Sequence, residues 1–374
     1  MKIRAAVLAR SGLPTPYAET QPLAIETVDL APPGPGEVLI RIAAAGICHS
    51  DLSVVEGLRP RPLPMVIGHE AAGVVEEVGP YVTDLQPGDH VVSVFVAACG
   101  HCNPCASGRP ALCEPGALAG TAGALLGGGR RLSRNGEALN HHSGISAFAE
   151  YATVSRHSLV KVDREIALEE AALFGCAVLT GVGSAVNAAH IAPGSSVAVI
   201  GLGGVGLSAL LGALAAGASR VVAIDVNADK LELARALGAT DTFDAKSEHV
   251  IEAVRDATQG GVEVVIETAG AGAALELGYA IARRGGELVT AGLPSPSTRF
   301  AIPAVSLVAD EKSIRGSYMG SSVPSRDVPR YLDLYRRGRL PVDRLVTHRL
   351  PLEDINIGMD RLREGKAVRQ IVTM

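Results

Sequence analysis

The residues able to do chemistry in this chain of 374 residues fall into three groups. The densest is Cys99-Gly-His-Cys102-Asn-Pro-Cys105, with Cys113 after seven further residues. Four thiolates so close in sequence can enclose one tetrahedral zinc ion, and a four-cysteine set is coordinatively closed, so its role is structural. An iron–sulfur cluster takes the same donors and is the competing reading. His101 lies between ligands of a set already filled and reads as an exposed bystander. The second group is scattered: Cys48 in GICHSDL, His69 in IGHEAAGVV and Cys176 in LFGCAVLTG. Two thiolates and an imidazole would leave one zinc position open. Spacing alone does not unite them, because a cysteine in an apolar run is more often a core residue. The third group is Gly201, Gly203 and Gly206 in GLGGVG, with Asp225 standing 24 residues after Gly201. In a dinucleotide site the first glycine makes the tight turn, the second admits the pyrophosphate to the backbone, and the third lets helix and strand pack closely. The free N–H groups at the helix start face the pyrophosphate, and the acid takes ribose hydroxyls.

These groups need elements to hold them. Val197–Ile200 reads as a buried strand, Leu207–Ala216 as a helix and Val221–Ile224 as a second strand, so the glycines fall at a strand-to-helix turn. From about Glu169 the two patterns alternate. Leu231–Leu237, Val250–Ala257 and Ala273–Ala282 read as helices, Val262–Glu267 and Glu287–Ala291 as strands. Such alternation predicts a parallel sheet with helices on both faces. Residues 1–160 differ: Ile3–Leu8, Glu37–Ala43, Ala72–Val78 and His90–Phe95 are short β-like runs among turns such as PPGPGE and QPGD. They predict an irregular, barrel-like β domain. After about Gly320, a helix over Val328–Arg337, a second over Ile355–Glu364 and a strand over Val368–Thr373 are expected to return to that first domain.

Hydrophobic residues make up 47% and charged residues 20%, as in a globular enzyme, and the net charge of −5 argues against a nucleic-acid surface. The start MKIRAAVLARSG lacks the apolar core of a signal peptide, and no apolar stretch reaches membrane-spanning length. With nothing to signal export, thiolate ligation is preferred over disulfides and a cytoplasmic location is expected.

The runs GICHSD, GHEAAGVVEEVG, PGDHV, CGHCNPCASGRPALC, LFGCAVLTGVGSAVN, GLGGVGLSAL, DVNADKLELARALGAT and GKAVRQIVTM follow one another from about residue 40 to the end. In kind and order they resemble the zinc-dependent medium-chain alcohol dehydrogenases, in their longer, dimeric-type form. The resemblance implies an α/β fold in two domains. One is a GroES-like, β-barrel-like catalytic domain over residues 1–178 and 320–374. The other is a doubly wound Rossmann domain binding NAD over residues 179–319. It implies a catalytic zinc on Cys48, His69 and Cys176 with Glu70 beside it, and a structural zinc on Cys99, Cys102, Cys105 and Cys113. Asp51 would orient the zinc-bound histidine, and Ser50 would contact the alcohol and take its proton. His49 and Arg369 would meet the coenzyme pyrophosphate, Gly201, Gly203, Gly204, Val205 and Gly206 would line it, Lys230 would reach the adenosine ribose, and Leu293 would lie near the nicotinamide. Phe95 and Leu118 would line the alcohol pocket.

Two positions depart from the family. Many relatives carry a histidine where this chain has Ser53, which leaves the proton path beyond Ser50 to water. Forms acting on a glutathione adduct of formaldehyde carry an acidic stretch where this chain reads Gly57-Leu-Arg-Pro-Arg61; Arg59 and Arg61 invert that charge, which argues against glutathione but could suit an anionic or otherwise different adduct. The expected reaction is hydride transfer between a primary alcohol and NAD, with two zinc ions per chain. Alternatives are a thiol-adduct formaldehyde dehydrogenase of the same fold, or a non-catalytic NAD(H)-binding zinc protein. Asp225 should repel the 2′-phosphate of NADP. Ser50, smaller than threonine, should favour medium-length or aromatic alcohols over ethanol. The long insert between Cys113 and Tyr151, with its Gly127–Gly129 turn, and the run Ser313–Ser321 as an edge strand predict a homodimer. Beyond a small-molecule alcohol or aldehyde, no nucleic-acid or membrane partner is expected.

Overall fold

The computed structural model describes all 374 residues. They form two compact units, one of residues 1–176, 323–332 and 346–374, the other of residues 177–322 and 333–345.

The first unit holds two β layers. Its barrel closes in the order β1 (Lys2–Leu8), β2 (Leu23–Leu30), β7 (Leu132–Arg134), β8 (Glu137–His141) and β4 (Met65–Val66). β1 and β2 pair antiparallel from Lys2↔Asp29 to Leu8↔Leu23. Alternate residues Ile3, Ala5 and Val7 turn inward with Val28, Leu30, Leu132 and Leu139, the period of two that a pleated strand imposes. The insert after Cys113 is therefore not a loop alone: it supplies β7 and β8, and Gly127 and Gly128 turn ahead of them at φ +100° and +91°. The second layer is a seven-stranded sheet in the order β10 (Leu159–Val162), β6 (His90–Ser93), β5 (Ala71–Val78), β3 (Glu37–Gly46), β18 (Arg369–Thr373) and β17 (Val346–Pro351), with β9 (Tyr151–Ser155) also on β3. Ile371, Val372 and Thr373 pair with Gly46, Ala45 and Ala44, so the chain end does return to the first unit. The core, without tryptophan, is built of Ile40, Ile42, Val75, Val91, Phe148, Ile355 and their neighbours.

The second unit is a six-stranded sheet in the order β13 (Asp241–Asp244), β12 (Arg220–Asp225), β11 (Ser196–Ile200), β14 (Val262–Glu267), β15 (Ala282–Thr290) and β16 (Ser313–Gly316). Every neighbouring pair is parallel. The strand order reverses at β11, and in open α/β sheets ligands bind beyond the strand ends at such a switch point. The helix Val250–Ala257 and the strand Val262–Glu267 begin and end where the sequence pattern places them. β15 instead begins five residues before the expected Glu287, because a register shift against Val262 and Val264 absorbs the extra chain. β6 ends at Ser93, two residues short of Phe95. Only Ser313–Gly316 of the expected edge run is strand; Met319–Ser321 is a tight 3₁₀ turn. No single helix is long and apolar enough to cross a membrane.

Candidate active site

His69 is presented by a glycine. Gly68 has φ +97°, and a Cβ there would lie 2.6 Å from the Phe148 nitrogen, so only glycine makes this turn between β4 and β5. Cys48 precedes the helix His49–Val55, and Asp51 closes that helix's first turn by accepting the Cys48 N–H on Oδ2 at 2.9 Å. Asp51 Oδ1 lies 2.8 Å from His69 Nδ1. A carboxylate accepting from Nδ1–H leaves the Nε2 lone pair as the ligand atom. That Nε2 is 3.5 Å from Cys176 Sγ, a residue 107 positions away. The ligand atoms of Cys48, His69, Glu70 and Cys176 all lie within 4.8 Å of one another. Burial opposes charge here, yet His69 holds the Asp51 carboxyl well below the usual carboxylate range. Burial also disfavours the His69 imidazolium, but Asp51 and Cys48 outweigh it and raise its pKa to about 10. Between the two thiols the proton stays on Cys176: contact with Cys48 and burial push Cys176 up, while contact with Cys176 pulls Cys48 down. Soft thiolates, an imidazole and an adjoining carboxylate are the donors zinc takes, so these residues fit the ion.

Glu70 has a second partner. Arg369 Nη2 donates to Glu70 Oε1, and both side chains are buried. Gly46 makes the room, since a Cβ there would meet Glu70 Oε1 and Arg369 Nη2. Glu70 Oε2 and Arg369 Nε remain buried without a hydrogen-bond partner, and buried polar atoms of this kind ordinarily await a ligand, ion or water. Phe95 stands edge-on to His69, ring centroids 5.8 Å apart. Ser50 is half-buried in the same helix turn as Asp51, His49 is exposed beside it, and the Ser53 hydroxyl donates to the His49 carbonyl at 2.8 Å. Leu118 stands 73% exposed on the helix Glu114–Thr121.

The four-cysteine lobe gathers as its spacing predicts. The Sγ atoms of Cys99, Cys102, Cys105 and Cys113 lie within 4.8 Å of one another, and all six cysteines are free of disulfides. Backbone amides aim at sulfur: Cys99 N–H to Cys113 Sγ at 3.1 Å, Cys102 N–H to Cys99 Sγ at 3.3 Å and Gly116 N–H to Cys113 Sγ at 3.4 Å. Amide donors hold the Cys99 thiol down at about 7, while desolvation and neighbouring thiols push Cys105 up to about 12. Four thiols facing one another ionise together only around a cation, which fits zinc. His101 is exposed and bonds the Cys99 carbonyl at 2.9 Å, outside the thiol set.

In the second unit the three glycines follow β11 and open the helix Gly204–Ala215, which also contains Val205. Gly201 has φ +86°, and a Cβ on Gly206 would fall 1.8 Å from the Gly201 carbonyl oxygen. Around Gly203 nothing stands within 4 Å of where a Cβ would be, which leaves space in front of the helix N-terminus for a phosphate group. Asp225, at the end of β12, accepts the Leu202 N–H at 2.6 Å on Oδ2 and the Asn227 N–H at 2.9 Å on Oδ1. Each oxygen keeps a further lone pair for a ribose hydroxyl. Lys230 lies in the first turn of the helix Ala228–Leu237, and Leu293 is 52% exposed where Gly270 packs against its backbone.

Sequence reasoning missed two residues. Glu267, fully buried at the end of β14, accepts the Gly270 N–H at 2.6 Å and the Thr290 hydroxyl at 2.7 Å, and burial pushes its pKa up. An acid closing a run of valines was the available signal. His142 was hidden in the insert; it packs edge-on to His69 with centroids 5.2 Å apart, and its neighbourhood exists only once the barrel has closed.

Residues 34–164 match the alcohol dehydrogenase GroES-like domain and residues 204–337 the zinc-binding dehydrogenase domain. The chain is 40% identical over the full length of both chains to a Mycobacterium tuberculosis protein named "Putative alcohol dehydrogenase D". Among solved structures it is similar to benzyl alcohol dehydrogenase from Acinetobacter calcoaceticus, with 34% identity and a TM-score of 0.93 over 100% of this chain and 99% of that one. It is also similar to a "putative zinc-binding dehydrogenase" from Sinorhizobium meliloti bound to NADP, with 27% identity and a TM-score of 0.82 over 100% of both chains.

Proposed function

The chain belongs to the zinc-binding alcohol dehydrogenase family, and from that premise we propose that it is an NAD-dependent oxidoreductase interconverting primary alcohols and aldehydes. The observation that carries the reading is the convergence of Cys48, His69, Glu70 and Cys176 with Asp51 behind the histidine. On those residues zinc would supply a Lewis acid that acidifies an alcohol hydroxyl or polarises a carbonyl, and NAD would supply the hydride acceptor. The chain's own residues do the rest. Asp51 fixes the His69 tautomer and ring. Ser50 receives the hydroxyl proton at its Oγ and hands it on toward the coenzyme ribose or water. Phe95 excludes water beside His69. Arg369, whose buried Nε lacks a partner, offers charge to the coenzyme pyrophosphate along with His49. Cys99, Cys102, Cys105 and Cys113 hold a second, structural zinc.

NAD is favoured over NADP by Asp225. It is buried, negative and followed by Val226 and Asn227, neither of which could neutralise a 2′-phosphate. Like-charge opposition at such a site amounts to roughly a hundredfold in preference. Medium-length and aromatic alcohols are favoured by the small Ser50 and by the likeness to an enzyme named for benzyl alcohol. A homodimer is supported by β16, an exposed edge strand paired only with β15, and by exposed Val305 and Val308 on the neighbouring helix. Six free thiols suit a reducing, cytoplasmic setting. The test is steady-state kinetics of benzyl alcohol, hexanol and ethanol with NAD⁺ and NADP⁺, with zinc content measured on the same sample. The expected result is turnover with NAD⁺, a higher kcat/KM for benzyl alcohol or hexanol than for ethanol, and about two zinc ions per chain. Comparable kcat/KM values for the two coenzymes would remove the role given to Asp225.

A further inference from the structure

Two polar groups near the buried metal-binding cluster serve no purpose in the chemistry described above. The first is Arg61. Its Nε is buried and has no hydrogen-bond partner, and no carboxylate forms an ion pair with it, although arginines elsewhere in this unit pair with Glu37, Asp84 and Glu150. A buried guanidinium N–H left unsatisfied is unfavourable, and a charged acceptor reverses that. The second is His142. The Gly68 N–H points at its Nδ1 from 3.2 Å. Asp51 Oδ1 is equally far from that nitrogen but is already bound to His69. The amide hydrogen is fixed by the backbone, so Nδ1 accepts, and the ring's proton belongs on Nε2. No protein group meets that Nε2.

The segments that carry the two residues meet. Pro62, next to Arg61, and Asn140, two before His142, close over the same Gly123, where a Cβ would lie 3.0 Å from Pro62 Cγ and 2.8 Å from Asn140 Cβ. His142 and Phe95 are the two rings that flank His69, so one wall around the histidine is apolar and the other offers N–H donors.

We propose that Arg61, assisted by His142, forms a subsite for a carboxylate carried by the substrate at a distance from its alcohol carbon. The substrate class is then an alcohol or aldehyde with a remote carboxylate, such as an aromatic hydroxymethyl acid. The planar guanidinium can take both carboxylate oxygens while the imidazole N–H takes a second lone pair on one of them. This proposal rests on the alcohol dehydrogenase reading of the site but is tested separately from it.

The test has a kinetic arm and a binding arm. In the first, benzyl alcohol and 4-(hydroxymethyl)benzoate are compared with NAD⁺ for wild type, Arg61→Met, Arg61→Lys and His142→Phe. The acid should have the higher kcat/KM in wild type. Arg61→Met should lower it by roughly ten- to a hundredfold, the range for a hydrogen-bonded charge, mainly through KM, and should leave benzyl alcohol within about twofold, which also shows that the variant folds. Arg61→Lys should recover part of the loss, and His142→Phe should give a smaller one. In the second arm, calorimetry of benzoate, benzamide and inorganic phosphate needs no turnover. Benzoate should bind wild type more tightly than benzamide or phosphate, and Arg61→Met should abolish that preference. Equal loss for both alcohols, or no preference for benzoate, would overturn the subsite. Tighter binding of phosphate would overturn the carboxylate assignment. If neither alcohol turns over while benzoate binding depends on Arg61, the subsite stands and the activity assigned above fails.

Discussion

The molecule has two sets of thiols, and they are organised in opposite ways. Cys99, Cys102, Cys105 and Cys113 come from one short stretch, three of them half-exposed, and their hydrogen bonds come from backbone amides of the same stretch. Cys48, His69 and Cys176 come from distant parts of the first unit, and their partners are buried side chains, Asp51 and the Glu70–Arg369 pair. Four equal soft donors exhaust a tetrahedral ion. Three donors with an adjoining carboxylate do not, and the charges around them are set by a whole folded layer. The lobe is a local device that would need a metal to be ordered. The buried cluster is a product of the fold and would outlast the loss of a metal bound there.

That contrast is sharpest in a pair of cysteine substitutions. Cys176→Ser should take turnover to background while the lobe keeps its zinc and the melting temperature scarcely moves. Cys102→Ser should remove one zinc per chain and lower stability by several kcal/mol, a part of the roughly 10 kcal/mol that structural zinc contributes in peptides. Elemental analysis, thermal melts and activity on the same preparations would read both. If Cys102→Ser spared stability and Cys176→Ser destroyed it, the roles would be reversed.

A smaller effect is expected one layer out. Asp51→Asn keeps shape but loses the charge that orients His69, and such substitutions typically lower metal affinity or activity about 10–100-fold. Zinc retention against a graded chelator would measure it, and the lobe's share should be untouched.

The smallest effect is one of pH. In chelator-stripped protein the His69 imidazolium, with its pKa raised to about 10, adds stability that is fully present below its ordinary value of about 6.5. That stability is lost as pH rises through about 10. Zinc has to displace the proton, so the gain in melting temperature on adding zinc should grow from pH 6.5 to pH 9. A gain that shrank over that range would contradict the His69–Asp51 pairing.

The same contrast explains what could be read from the chain. The lobe was legible because its four ligands and their turns are contiguous. The glycine turn was legible because Val197–Ile200 and Val221–Ile224 bracket it with apolar runs, and Gly201 and Gly206 behave as those positions require. The scattered ligands were identified only through the family resemblance, since nothing local ties Cys176 to His69. β7 and β8 escaped notice because three and five residues of mixed polarity carry little periodic signal. With them went His142 and the barrel's closure. Leu118 was placed by resemblance, and its exposure depends on how the helix Glu114–Thr121 settles, which eight residues of small and apolar type do not specify.

The pairing of Ile371–Thr373 with Ala44–Gly46 has a consequence for biosynthesis. Most of the second unit is one continuous stretch, residues 177–322, whose parallel strands and helices can assemble as soon as that stretch has left the ribosome. The first unit has no such freedom. β3 is made early, but the strand that completes its neighbourhood is made only after the second unit, and closing a contact of that sequence span is slow. Arg369 opens that strand. Glu70 must therefore wait until the second unit has been made for the cation that balances it, and the half-built cluster cannot take its final charge state before Arg369 has been added.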